Sequence, residues 1–403
     1  MSYRELFRGS SGALLMLGFL ARLPYAMAPL ATLMLVHSAT GSYGFAGAAA
    51  AAQSLAVGVG GPVVGRLAER FGLRRLGAYA AGVNVAAIAA LIAATQARRE
   101  VMVVAAVLVG LTQPQVGPLL RVHWSNLAAT RPAGSGLLST ALSYEATVDE
   151  ASFVVGPAVV GLLAAVPAPV PASAPLVAGA LLLTVAAVPL ATRYAEPPAR
   201  RPDQPSATVR LPIRPLSTMV LAMALLGAIF GVVQTGVTVY ATDAGRPVAA
   251  GLLYAGLGLG SALAGFAYAW LPRGFTLPAR YRLFTVGVVL GMSMLAVGDI
   301  LVPLPVAVVL AGATIAPHMI NVYTLTERLA PGRVAAAMTV VCAGGPVGTA
   351  AGQTAAGLLA DGHGYRAAIV LGPLLAAAAL LLAWLPPTAH TAAGFDGVRR
   401  DIG

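Results

Sequence analysis

Apolar residues in this chain gather into runs of about 20, a length that lets a helix cross the roughly 30 Å hydrocarbon core of a bilayer. Twelve such runs cover approximately 12–37, 43–65, 76–96, 101–123, 135–165, 173–192, 215–241, 247–271, 283–302, 305–326, 334–360 and 366–385. Little chain remains for a soluble domain. Between the sixth and seventh runs, a polar stretch from Arg193 to Arg214 carries Pro197, Pro198, Pro202, Pro205 and Pro212 among five arginines, the composition of a linker. It divides the chain into two halves of six runs, 1–192 and 215–386, joined by 193–214 and followed by a tail, 387–403. Gly156, Gly161, Leu162, Leu163 and Ala164 recur as Gly352, Gly357, Leu358, Leu359 and Ala360, a constant offset that supports an internal repeat. The pattern predicts an all-α integral membrane protein with twelve transmembrane helices in two pseudo-symmetric six-helix bundles.

Composition agrees: 58% of the 403 residues are apolar and 10% charged, with a mean hydropathy of +0.82. The net charge of +11 comes entirely from arginine, because the chain has no lysine. With the N-terminus in the cytoplasm, 20 of the 25 arginines fall on the cytoplasmic side. Only Arg98, Arg99, Arg246 and Arg366 fall outside, and Arg22 lies within the first run. This positive-inside bias predicts a multi-pass protein of the inner membrane with both termini cytoplasmic, and it makes the basic charge a matter of topology rather than of nucleic-acid binding. On that topology Trp124, Trp270 and Trp384 stand at cytoplasmic helix ends, where interfacial anchors belong. Arg4, Arg8 and Ala26-Met27-Ala28 resemble a signal peptide, but the apolar run continues to Val36, too far for one, so an uncleaved first helix is expected. The single Cys342 excludes an intramolecular disulfide. Abundant Ala, Gly and Arg without Lys suggest a GC-rich bacterial genome.

The fifth run holds Glu145, Asp149 and Glu150, each costing about 2.5–3.5 kcal/mol in the middle of a membrane helix. Glu145 and Asp149 share one helical face, and Glu150 points about 100° away. Arg22, about ten residues into the first helix, lies at the depth of Glu145, so pairing Arg22 with this cluster is the cheapest arrangement for either. Two uses of the acids stay open: an ion-pair network that holds helices together, or the handling of protons or a cationic solute. An intramembrane aspartyl protease would need carboxylates on two helices, and here they share one. A channel would need a filter-like loop, and an ATP-driven pump a Gly-Lys-Ser/Thr loop; neither is present. No catalytic residue, metal site or cofactor is expected, and Asp299 is given no role.

Between the second and third runs stands Gly65-Arg-Leu-Ala-Glu-Arg-Phe-Gly-Leu-Arg-Arg75. Here the chain resembles the major facilitator superfamily, whose signature loop matches at Gly65, Leu67, Arg70, Gly72, Arg74 and Arg75, with Glu69 where the family usually has Asp. In the fourth run, Gly110-Leu-Thr-Gln-Pro-Gln-Val-Gly117 is similar to a stretch of proton-coupled drug antiporters that carries an Arg at the position of Gly110. The fifth run continues to Gly156-Pro157-Ala-Val-Val-Gly161, which looks like the antiporter helix-5 motif with Ser152 in place of its first glycine and the last glycine displaced by one residue. The resemblance implies alternating access in a monomer, with Gly65, Glu69, Arg70, Gly72, Arg74 and Arg75 in a cytoplasmic gate. It also implies a central cavity lined by helices 1, 4, 7 and 10, which makes Tyr25, Gln113, Gln234, His318, Asn321 and Tyr323 its polar, solute-binding lining. The reading is proton-coupled efflux of a small organic solute, drug-like or sugar. Glu145, Asp149, Glu150 and Arg22 serve the coupling, with Asp149 and Glu150 ranked ahead of Glu145 as the titrating pair. The alternatives are a sugar or metabolite uniporter or symporter and, remotely, a membrane-embedded enzyme.

Overall fold

A segment inside hydrocarbon must satisfy its own backbone, which leaves the helix as the local solution for each apolar run. The computed structural model describes residues 12–71, 73–114, 116–129, 137–164, 166, 172–194, 212–271, 276–298, 300–330 and 334–384. Among them the only β-type pairing is a single bridge between Gly298 and Val302. In the first half the helices are α1 (Gly12–Leu20), α2 (Leu23–Thr40), α3 (Tyr43–Phe71), α4 (Leu73–Ala94), α5 (Arg99–Leu111), α6 (Val116–Ala129), α7 (Leu137–Ala164), α8 (Ala174–Leu182) and α9 (Val188–Tyr194). A π-helical turn, Leu183–Ala187, joins α8 to α9. The second half holds α10 (Ile213–Asp243), α11 (Val248–Ala267), α12 (Leu277–Ala296), α13 (Leu304–Gly312), α14 (Ile315–Leu329) and α15 (Val334–Trp384). Among the described residues nine helical segments are long and apolar enough to cross a membrane, one of them combining the last two predicted runs.

The departures from twelve uninterrupted runs have local causes. The first run breaks at Ala21 and Arg22, ahead of Pro24. The fourth breaks around Pro114, which has no N–H to give; there Asn84 Nδ2, from α4, donates to the Val109 carbonyl at 2.7 Å and to Thr112 Oγ1 at 2.9 Å. Gly110 stands at this break because its Cα faces the backbone of Gln53 on α3, leaving no room for a side chain. The last two runs join in one long helix bent at Gly364, whose φ of 75° suits glycine. The signature stretch is not the short loop expected: α3 runs on to Phe71 and α4 begins at Leu73, so residues 65–71 extend the helix. Arg74 and Arg75 are exposed in the first turn of α4. Gly72, and the side-chain surroundings of Gly65, Glu69 and Arg70, lie outside the described residues, as do residues 195–211 of the linker, the tail and Asp299.

Two large hydrophobic cores form, one confined to residues 14–191 and one to residues 216–383. A third, small cluster joins Tyr43 of the first half to Val232, Val239, Ala356, Ala360 and Ala368 of the second. The halves meet along two seams, α3 against α15 and α7 against α11. Both rely on glycines at equivalent places: Gly357 abuts Tyr43 and Gly44, and Gly251 abuts Pro157 and Gly161. The repeat seen in the sequence is packed alike in each half, Gly156 on Ala26 of α2 and Gly352 on Ala228 of α10.

Candidate functional site

The break at Arg22 creates a buried ionic cluster. The Arg22 N–H turns to Phe19 O at 3.1 Å, and the guanidinium Nη1 donates to the Gly18 carbonyl at 2.9 Å. Its Nε donates to Asp149 Oδ1 at 2.6 Å, and its Nη2 to Glu145 Oε2. The second Glu145 oxygen accepts the Trp124 indole N–H at 2.8 Å. Arg22 is 4% and Glu145 1% exposed, so each charge is compensated by the other and by these directed hydrogen bonds. Trp124 is therefore not the interfacial anchor expected: it is fully buried and holds an acid, whereas Trp270 and Trp384 are exposed. Asp149, one turn further along α7, keeps 34% of its side chain exposed.

Glu150 follows a different course. It turns away from Arg22, makes no hydrogen bond or ion pair among the described residues, and lines a cavity of about 280 Å³ between the halves. Such a volume is near the lower end of the ~300–1,000 Å³ of ligand pockets, which suits a small solute. The first half contributes Tyr25, Gln53, Ser54, Gln113 and Phe153; the second contributes Phe230, Gln234, Tyr254, Ser261, Met319 and Thr349. Tyr25 and Phe153 pack edge to face, with ring centroids 6.1 Å apart. Gln353 of α15 donates to Gln234 Oε1 at 2.6 Å, and its own Oε1 lies 3.4 Å from the Ser54 hydroxyl, tying α10, α15 and α3 together.

Of the six residues expected to line the cavity, Tyr25, Gln113 and Gln234 do so. His318, Asn321 and Tyr323 do not, because α14 turns Met319 to the cavity and satisfies the others elsewhere. His318 Nδ1 lies 3.0 Å from Thr285 Oγ1, with its ring 5.4 Å from that of Tyr281, so it faces α12. Asn321 donates to Pro317 O and accepts from the Tyr268 hydroxyl, while the Tyr323 hydroxyl lies 3.8 Å from Cys342 Sγ. The sequence reading missed Gln53, Trp124 and Gln353. The signal for the two glutamines was their polarity within apolar runs, which a search for charge passed over.

At the Gly41 end of the α3–α15 seam, Asp361 accepts from the backbone N–H groups of Tyr43 and Gly44 at 2.6 and 2.9 Å and from the Ser42 hydroxyl at 2.6 Å. One half thus caps a helix N-terminus of the other. Among the described residues no group of His, Cys, Asp and Glu is placed to hold a metal ion.

Similar folds occur in solved transporters. The nucleoside transporter NupG superposes with a TM-score of 0.71 at 15% identity, covering 92% of this chain and 96% of its own. The human organic anion transporter MFSD10 gives 0.62 at 15% identity, covering 92% and 99%. A bacterial homologue of the iron transporter ferroportin, in an inward-facing state, gives 0.67 at 14% identity, covering 93% and 98%. No curated protein sequence matches the chain. The sequence model of the Major Facilitator Superfamily matches residues 14–331. With two helical halves meeting around a central cavity and the family's sequence model matching most of its length, the chain belongs to the Major Facilitator Superfamily, a family of membrane transporters.

Proposed function

We propose that the protein exports a small organic solute in exchange for protons, by alternating access between its two halves. The observation that carries this reading is the pair of adjacent acids on α7: Asp149 bound to Arg22 and partly exposed, and Glu150 at the cavity wall with no ion-pair partner among the described residues. A carboxylate near the middle of a membrane helix holds or releases a proton according to its access to water and its distance from a cation. Movement of α1, α2 and the intervening Arg22 against α7 changes both for Asp149, and exposure of the cavity changes the first for Glu150. Glu145, almost fully buried and bonded at both oxygens, serves as the permanent partner of Arg22.

On the orientation given by the arginine bias, both termini are cytoplasmic, and the Asp361 cap and the glycine contacts at Gly44 and Gly251 lie toward the outer side. Their close packing fits a conformer that opens inward. Gly65, Glu69, Arg70, Gly72, Arg74 and Arg75 then stand at the cytoplasmic side, where they serve as the inner gate. The solved relatives carry nucleosides, organic anions or metals by their own descriptions, so the solute follows from this cavity and not from them.

The test uses proteoliposomes with an acidic lumen and a panel of labelled organic cations, sugars, nucleosides and organic anions. A member of the panel should accumulate inside and leave when nigericin collapses the gradient. Equilibration of a solute without accumulation would replace this reading with an uncoupled carrier.

A further inference from the structure

Glu150 is the only ionisable acid or base of the Asp, Glu, His, Lys and Arg classes among the described residues that line the cavity. Arg22, which pairs with the neighbouring acid of α7, directs its N–H groups to Asp149, Glu145 and Gly18. An anion entering this space would meet a carboxylate with no cation to balance it. A polyhydroxylated solute would meet mostly aliphatic and aromatic walls, with Gln234 already held by Gln353.

The rings of Tyr25, Phe153, Phe230 and Tyr254 share the cavity with Glu150. Aromatic faces beside a carboxylate attract a weakly hydrated organic cation and give an anion nothing. A second observation points to a ligand independently. Gln53 lines the cavity and is 1% exposed, yet neither its amide oxygen nor its amide nitrogen has a hydrogen-bond partner among the described residues. A buried amide in that state calls for a partner that the resting protein does not supply.

From this we infer that the solute is an organic cation, an amine in protonated or quaternary form, held by the Glu150 carboxylate among aromatic rings, with Gln53 bonding a polar group of the same molecule. The inference rests on the transport reading above and names its substrate class.

Its test is equilibrium binding to the purified full-length protein in nanodiscs, without any gradient. The probes are benzyltrimethylammonium, neutral N,N-dimethylbenzamide and anionic phenylacetate, which are similar in size and differ in charge. The cation should bind saturably and at least tenfold more tightly than either of the others. Glu150→Gln should abolish that preference while Glu150→Asp, which keeps the charge, retains it. Gln53→Leu should weaken binding of the amide probe severalfold with no loss of thermal stability. Absence of saturable cation binding, equal or tighter binding of the neutral or anionic probe, or a preference that survives Glu150→Gln would each overturn the inference. Coupling fails separately: a protein that prefers the cation but never concentrates a solute on a pH gradient loses the proton-coupled reading alone. One that concentrates neutral solutes loses only the cation.

Discussion

The two halves share a fold and differ in chemistry. The first half buries Arg22 and Glu145, with Asp149 and Glu150 beside them on α7. The second half buries Gln234, Thr235, Thr238, Ser261, Thr285, His318, Asn321, Thr326 and Gln353, none of which carries a fixed charge. An internal repeat would have produced two similar polar interiors, so the difference reports a division of labour laid over a common scaffold. One half buries charge, and the other buries neutral hydrogen-bonding groups.

The contrast breaks most severely at Arg22. Arg22→Leu strands Glu145 and Asp149 without their cation and should cost about 3–5 kcal/mol, the usual penalty for removing one partner of a buried pair. Thermal unfolding in detergent should show the loss. Adding Glu145→Leu should recover part of it, because the second change removes the stranded charge. A single mutant as stable as the wild type would show that the cluster stores no such energy.

On the neutral side, Gln353→Leu leaves the buried Gln234 amide short of a partner and should cost about 1–3 kcal/mol. The same unfolding measurement should place it below the Arg22 variant, the order that distinguishes a charged interior from a neutral one.

Between the halves, Asp361→Ala removes the cap on α3 and should cost about 0.5–2 kcal/mol, most of it from the conformer in which the seam is closed. Labelling of a cysteine placed at Ser42 should therefore quicken. Unchanged labelling would mean that the cap does not hold the seam. The smallest effect belongs to His318, which faces Thr285 and Tyr281 instead of the cavity. His318→Asn should leave solute affinity within about twofold, on the ~1.4 kcal/mol per tenfold scale of binding, and a larger change would return that residue to the binding surface.

Much of this was legible in the sequence because bilayer physics writes it in residue types. The apolar runs foretold an all-helical membrane protein, though not where single runs break or join; the offset glycines foretold the equivalent packing of Gly156 and Gly352, and the depth of Arg22 foretold its partners on α7. What escaped was rotation. Which face of α14 meets the cavity is set by the helices packed around it, α12 among them, so the residue types alone did not say that α14 would present Met319 and turn His318 toward α12. Trp124 was misplaced for a related reason: at a helix end it suits the interface, and only the tertiary approach of Glu145 made burial favourable. Gln53 and Gln353 carry no charge, and their importance follows from which partners they find or lack.

The account stands on the charge-bearing half driving transport, and the amide variants of α7 test that most directly. Asp149→Asn and Glu150→Gln keep the size of each side chain and remove its proton chemistry. In proteoliposomes with an acidic lumen, each should lose accumulation of a solute that the wild type concentrates, while exchange of that solute down its own gradient continues in part. If both variants still concentrate it at the wild-type rate, the acids of α7 are structural and the proton-coupled account is wrong.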